Sequence, residues 1–302
     1  MPLLRIFANN ILPVLLLSGA GFALGKVLKL DPQPLGRVIF YILSPLLVFD
    51  LLTSNNLPLD RIALMMGYTA AGTLVIAGLA FLAGKLFRLE RGALIVVVLA
   101  SMCTNGGNYG LPLVSFAFGQ EALAYASIYF VTSTILFYTV GVIIASLGHL
   151  NLKNALLGVL KVPAIYAIIM AVIYIRTGWT LPEPLQRTVS LAAGGAIPSM
   201  LVLLGLELQR VEWSRNFRAM GIPVFIRLIV GPLVGLGIAA MFGLQGPAYK
   251  AGMTEMGTPT AVMTTVLATE YKLDSSLVTA IIFVGTILSP LTLTPLLYFL
   301  GR

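Results

Sequence analysis

Thr104-Asn105-Gly106-Gly107-Asn108-Tyr109-Gly110-Leu111-Pro112 stands inside an apolar segment that runs from about residue 92 to residue 118. Each glycine lowers helix propensity by about 1 kcal/mol, and Pro112 removes a helical hydrogen bond. The segment therefore starts as a helix, breaks and starts again. Backbone N–H and C=O groups freed by such a break cannot face hydrocarbon, so they must line a cavity or be paired by other protein groups. A lone proline kink is the simpler reading of Pro112 by itself. Two asparagines and three glycines beside it are more than a kink requires.

The rest of the chain supplies the hydrocarbon setting. Of its 302 residues, 58% are hydrophobic and 10% charged, with a mean hydropathy of +0.98. Soluble domains carry about 25% charged residues, so this composition excludes an ordinary soluble enzyme, a nucleic-acid-binding module and a disordered chain. The apolar runs are continuous rather than alternating, which favours helices over a membrane barrel. The first of them has no small-residue cleavage pattern after it and reads as a span rather than a signal peptide. Cys103 and His149 are single examples of their kinds, which excludes an internal disulfide and a His-rich metal site.

Apolar segments at about 6–28, 34–53, 61–86, 92–118 and 121–147 are followed by a second set at about 156–177, 184–209, 217–242, 246–270 and 274–300. The expected fold is an all-α polytopic membrane protein of ten transmembrane helices. The loops after the odd-numbered segments hold twelve Lys and Arg residues (Lys26, Lys29, Arg37, Lys85, Arg88, Arg91, Lys153, Lys161, Arg210, Arg215, Arg218 and Lys272). The opposite side holds six: Arg5, Arg61, Arg176, Arg187, Lys250 and Arg302. By the positive-inside rule both termini lie outside the cytoplasm, and the net charge of +8 reflects topology rather than a nucleic-acid surface.

A shift of about 150 residues brings the two halves into weak register. Leu35 and Arg37 open one segment and Leu185 and Arg187 another, followed by Pro45 and Pro198. Thr254-Glu255-Met256-Gly257-Thr258-Pro259-Thr260 interrupts segment nine as the opening motif interrupts segment four. Residues 1–150 and 151–302 thus read as two repeats. Five spans in each half make the second repeat inverted, and paired interrupted segments in an inverted repeat point to the site of a secondary transporter. Half-helix N-termini there attract anions and carbonyl ends attract cations.

Candidate substrate-binding residues are Asn105, Asn108, Tyr109, Thr258, Thr260 and Arg227, and Gly107, Gly110, Pro112, Gly257 and Pro259 hold the breaks open. Asparagine amides orient a ligand without fixing a charge. Tyr109 reads equally as a packing aromatic, and the two threonines equally as partners of freed carbonyls. Arg227, about ten residues into segment eight, costs about 2.5–3.5 kcal/mol in mid-bilayer unless it is partnered. It answers either a substrate carboxylate or Glu255, and Glu255 is the candidate for proton coupling.

Several motifs resemble those of the auxin efflux carrier family, whose bacterial members include malonate-type organic-anion carriers. They are Asn105-x-Gly107-x-x-Gly110-Leu111-Pro112-Leu113, Ser44-Pro45-Leu46-Leu47-Val48-Phe49, Arg227 with Pro232 five residues on, and the break at Met256–Ala261. The single Pro259, where many members have two adjacent prolines, and the neighbouring Glu255 depart from the family pattern. The resemblance implies a fold similar to bile-acid symporters and sodium–proton antiporters. It implies a scaffold from about 1–58 and 151–212, and a moving core from about 59–150 and 213–302 in which segments four and nine cross. It also implies elevator-type motion, a homodimer, and carboxylate substrates.

The expected function is secondary transport of a small organic anion across a cell membrane, coupled to protons or Na⁺, with no metal or other cofactor. An indole carboxylate, a dicarboxylate and a small monocarboxylate all fit. A Na⁺-coupled symporter of the bile-acid type is the alternative. There is no phosphate-binding loop for ATP hydrolysis, and no His-Glu-x-x-His motif or acidic cluster for a membrane-embedded enzyme. An open channel fits paired breaks less well than an occluded site.

Overall fold

The computed structural model describes residues 2–146 and 160–301. His149, Lys153, Arg302 and the expected boundary between repeats at 150/151 lie outside the described residues. Among those described, every extended element is an α-helix or a wider helical turn, apart from one isolated backbone bridge.

Among the described residues seven helices are long and apolar enough to cross a membrane: Pro2–Leu28, Pro32–Ser54, Leu59–Leu86, Gly106–Ala145, Glu183–Leu208, Phe217–Phe242 and Ser275–Leu300. The sequence pattern called for ten, and the difference is local. Segment four is divided, its first part being the 12-residue helix Arg91–Met102. Its second part runs on into segment five across Gly119, whose φ of 78° and ψ of −166° turn the chain where an L-residue with a side chain would be strained. Segment six is a 15-residue helix, Pro163–Thr177. Segment nine is the pair Gly246–Met256 and Thr264–Glu270.

Wide, π-type turns occupy Phe7–Ile11, Ile39–Leu43, Gly106–Gly110 and Ile226–Val230. Each of these four ends two residues before a proline, Pro13, Pro45, Pro112 and Pro232, whereas a fifth wide turn, Phe137–Gly141, precedes none. Proline lacks an N–H and its ring crowds the carbonyl four residues back, and one extra residue in the turn relieves both. A proline is not sufficient, because Pro198 lies within the continuous helix Glu183–Leu208.

The extensive packing falls into two groups. Pro2–Leu28, Ser44–Ser54, Pro163–Thr177 and Glu183–Leu208 pack on one another. Leu59–Leu86, the two broken segments, Leu111–Leu136, Phe217–Phe242 and Ser275–Leu300 form the other. In the first group Gly205 lets two helices meet backbone to backbone, since a Cβ there would overlap the Ser18 carbonyl. Small residues set such approaches in membranes, where lipid offers no hydrophobic drive between helices.

Candidate functional site

Arg91–Met102 ends because Cys103, at φ −88° and ψ 104°, is extended. Helical turns resume at Gly106, with the Asn105 carbonyl accepting from the N–H of Tyr109 at 3.2 Å and of Gly110 at 2.9 Å. Gly246–Met256 stops likewise at Gly257, and the chain becomes helical again at Thr264. The two interruptions lie against each other, antiparallel, at Thr104 and Thr260. Asn105 N–H donates to the Pro259 carbonyl at 2.8 Å and Ala261 N–H to the Cys103 carbonyl at 2.9 Å. Each break thereby satisfies backbone groups that the other has freed.

Two half-helix C-termini meet here, and Arg227 serves both. It is 1% exposed. Its Nε donates to the Thr258 carbonyl at 3.0 Å, and Nη2 donates to Thr258 at 2.8 Å, Met256 at 2.9 Å and Glu255 at 3.3 Å. Nη1 reaches the Ser101 carbonyl at 3.5 Å. A cation on helix carbonyl ends is the favourable dipole arrangement. Of the two sequence readings of Arg227, the ion pair with the Glu255 carboxylate is not formed, and the guanidinium holds the backbone of the breaks instead. The threonines follow the same rule. Thr258 Oγ1 donates to the Glu255 carbonyl at 2.7 Å, and Thr260 Oγ1 to the Ala100 carbonyl at 2.8 Å. Tyr109 is buried, its hydroxyl 2.9 Å from Ser289 Oγ.

Asn105 and Asn108 are placed differently. With Gly107 they line a cavity of about 460 Å³ on one side of the paired breaks. The Asn105 side chain is 3% exposed, and its amide nitrogen has no hydrogen-bond partner. Gly107 and Asn108 belong to the first turn of a half-helix, whose N–H groups have no intrahelical acceptor. Phe40, Phe130, Phe137 and Tyr138 form apolar wall, and the cavity extends to Gln33, Arg37 and Glu207 near helix ends. Tyr109, Thr258, Thr260, Arg227 and Glu255 do not line it. Pro112, Gly257 and Pro259 lie at the breaks without lining it.

Glu207 and Ser44 also line the cavity and were not among the sequence candidates. The one signal for Glu207 is that it is an acid within the last turn of an otherwise apolar span. The Glu255 carboxyl, 0% exposed, packs against Gly106 and Gly110, and neither of its oxygens has a hydrogen-bond partner. Among the described residues no cluster of His, Cys, Asp or Glu could hold a metal ion.

A family model described as "Membrane transport protein" matches residues 6–297. An uncharacterized transporter of Methanothermobacter thermautotrophicus is 28% identical over 295 residues, covering 94% of this chain and 95% of that protein. An uncharacterized transporter of Methanocaldococcus jannaschii is 27% identical over 270 residues, covering 86% of each chain. Auxin efflux carrier component 8 of Arabidopsis thaliana is 28% identical over 136 residues, 44% of this chain and 36% of that protein. With its apolar helices and its match over nearly the whole length, the chain belongs to this auxin efflux carrier-like family of membrane transport proteins.

Proposed function

We propose that the protein is a secondary carrier for a small organic anion, which binds in the cavity beside the paired breaks. The observation that carries this reading is that Asn105, whose buried amide nitrogen has no hydrogen-bond partner, and the first turn of a half-helix, at Gly107 and Asn108, line the same cavity. An amide donor and a helix N-terminus together suit a carboxylate. The basic residue lining the cavity is Arg37, near a helix end, and the aromatic rings give it an apolar wall. That combination favours a monocarboxylate with a flat apolar body over a dicarboxylate, whose second charge would meet no deep cation.

In this reading the ten sequence segments form two inverted repeats, with segments four and nine crossing at Thr104 and Thr260. The division of the packing into two groups supports a scaffold and a core that slides against it in elevator fashion. Two copies associate through the scaffold, as the resemblance implies. The cavity opens on the side of Arg37, which the charge bias makes cytoplasmic.

Transient currents from proteoliposomes on a solid-supported membrane test the proposal, with phenylacetate and malonate as probes. A saturable phenylacetate current that is lost in Asn105→Ala supports it. A malonate current of equal size overturns the substrate class, and flux that does not saturate overturns the carrier.

A further inference from the structure

Glu255 is the acid of this interior whose carboxyl oxygens lack a partner. It is 0% exposed, and both oxygens are without a hydrogen bond. An ionised carboxylate presents about four acceptor sites, and burying it unpaired costs far more than burying the neutral acid. The groups that act on it from the packed elements are Arg227 and Tyr129, with Tyr68 and Cys103 beside Arg227. Arg227 is committed to backbone carbonyls, and the Tyr129 hydroxyl lies 3.1 Å from Met256 Sδ.

The carboxyl lies at the same helix end that the cavity uses. It packs on Gly106 and Gly110, while Gly107 and Asn108 of that turn line the cavity. Gly110 must lack a side chain, because a Cβ would overlap the carboxyl. At Gly106 a Cβ would lie 2.8 Å from Glu255 Oε2 and 3.7 Å from Thr104 Oγ1, so both groups border the same glycine. Thr104 also lines the cavity, and its hydroxyl, buried behind that wall, has no hydrogen-bond partner.

We propose that Glu255 is a proton-binding site linked to the cavity through the Thr104 hydroxyl, and that a proton and the organic anion bind together. The inference rests on the carrier reading above. An ionised Glu255 and a substrate carboxylate would place two negative charges at one half-helix N-terminus, where they repel. Protonation removes the first charge and leaves the helix end to the second. By linkage the anion in turn raises proton affinity by the same factor. On release, the carboxyl O–H bond breaks and its proton passes to Thr104 Oγ1 as that hydroxyl gives its own proton to water in the cavity. The threonine is unchanged and the carboxylate is left ionised.

The test is binding of radiolabelled phenylacetate to the detergent-solubilised full chain at several pH values, with infrared spectra of the same samples. Wild-type affinity is expected to weaken as pH rises, approaching about tenfold per unit once Glu255 ionises, the slope of one coupled proton. Glu255→Gln keeps the tight affinity at every pH and lacks the carbonyl stretch of a protonated acid that the wild type shows at neutral pH. Thr104→Val leaves the equilibrium pH dependence in place and slows proton uptake after phenylacetate is added. An unchanged pH slope in Glu255→Gln overturns the proposal, as does Na⁺ dependence in place of pH dependence, or absence of the wild-type band at neutral pH. If the band is present and vanishes in Glu255→Gln, but phenylacetate, benzoate and malonate all fail to bind, the carrier reading falls and the proton site stands.

Discussion

Arg227 and Thr258 are joined twice: Nε and Nη2 of the arginine both donate to the one threonine carbonyl, at 3.0 and 2.8 Å. Only a planar, forked donor can do this while also reaching Met256 and Glu255. The buried charge of segment eight is thus a structural clasp on the end of a broken helix.

Replacing the clasp tests that assignment. Arg227→Met leaves several buried carbonyls unpaired at about 1–3 kcal/mol each. It is expected to lower the melting temperature in detergent by many degrees, and Arg227→Lys, a point donor without the fork, by less. A normal melting temperature with lost anion binding would return Arg227 to the ligand.

Asn105→Ala is expected to act in the opposite way. The side-chain amide nitrogen makes no hydrogen bond within the protein, so its removal costs little stability. A hydrogen bond to a charged ligand is worth about 1.5–3 kcal/mol, so anion binding should weaken at least about tenfold. Thermal unfolding and phenylacetate binding on the same preparation separate the two effects.

The paired breaks can be locked. Thr104 and Thr260 are opposite each other with hydrogen bonds on either side rather than between them. In such pairs the Cα atoms approach to about 4.5 Å, within disulfide reach. Thr104→Cys with Thr260→Cys, in a Cys103→Ala background, is expected to form a disulfide on mild oxidation. Free thiols counted by alkylation and mass spectrometry report it, and two persistent thiols would refute the pairing.

Two glycines of the opening motif should differ in tolerance. A Cβ on Gly110 would overlap the fully buried Glu255 carboxyl, whereas one on Gly107 meets the ring edge of Phe130 at 2.8 Å. A ring at a cavity wall can turn aside. Overpacking costs about 1–3 kcal/mol, so Gly110→Ala is expected to lower the melting temperature clearly and Gly107→Ala little.

The helical membrane class and the positions of both breaks were legible in the residues, because hydropathy, glycine and proline act within a few positions of themselves. The wide turns ahead of Pro13, Pro45, Pro112 and Pro232 belong to the same local order. Helix lengths were less legible: segments four and nine each divide into shorter helices, and Gly119 turns the chain between segments four and five.

The amino-acid sequence by itself determined that polar groups would meet inside a bilayer protein, at Asn105 and Asn108 on one side and at Thr258 and Thr260 on the other. Only the tertiary structure decided which of them remain available. Thr260 is taken up by the Ala100 carbonyl, and Arg227 by carbonyls on two helices. The Asn105 amide nitrogen and the Glu255 carboxyl are left without partners. The reason is physical: a donor's availability depends on which acceptors surround it, and here those acceptors come from parts of the chain as far as 160 residues away.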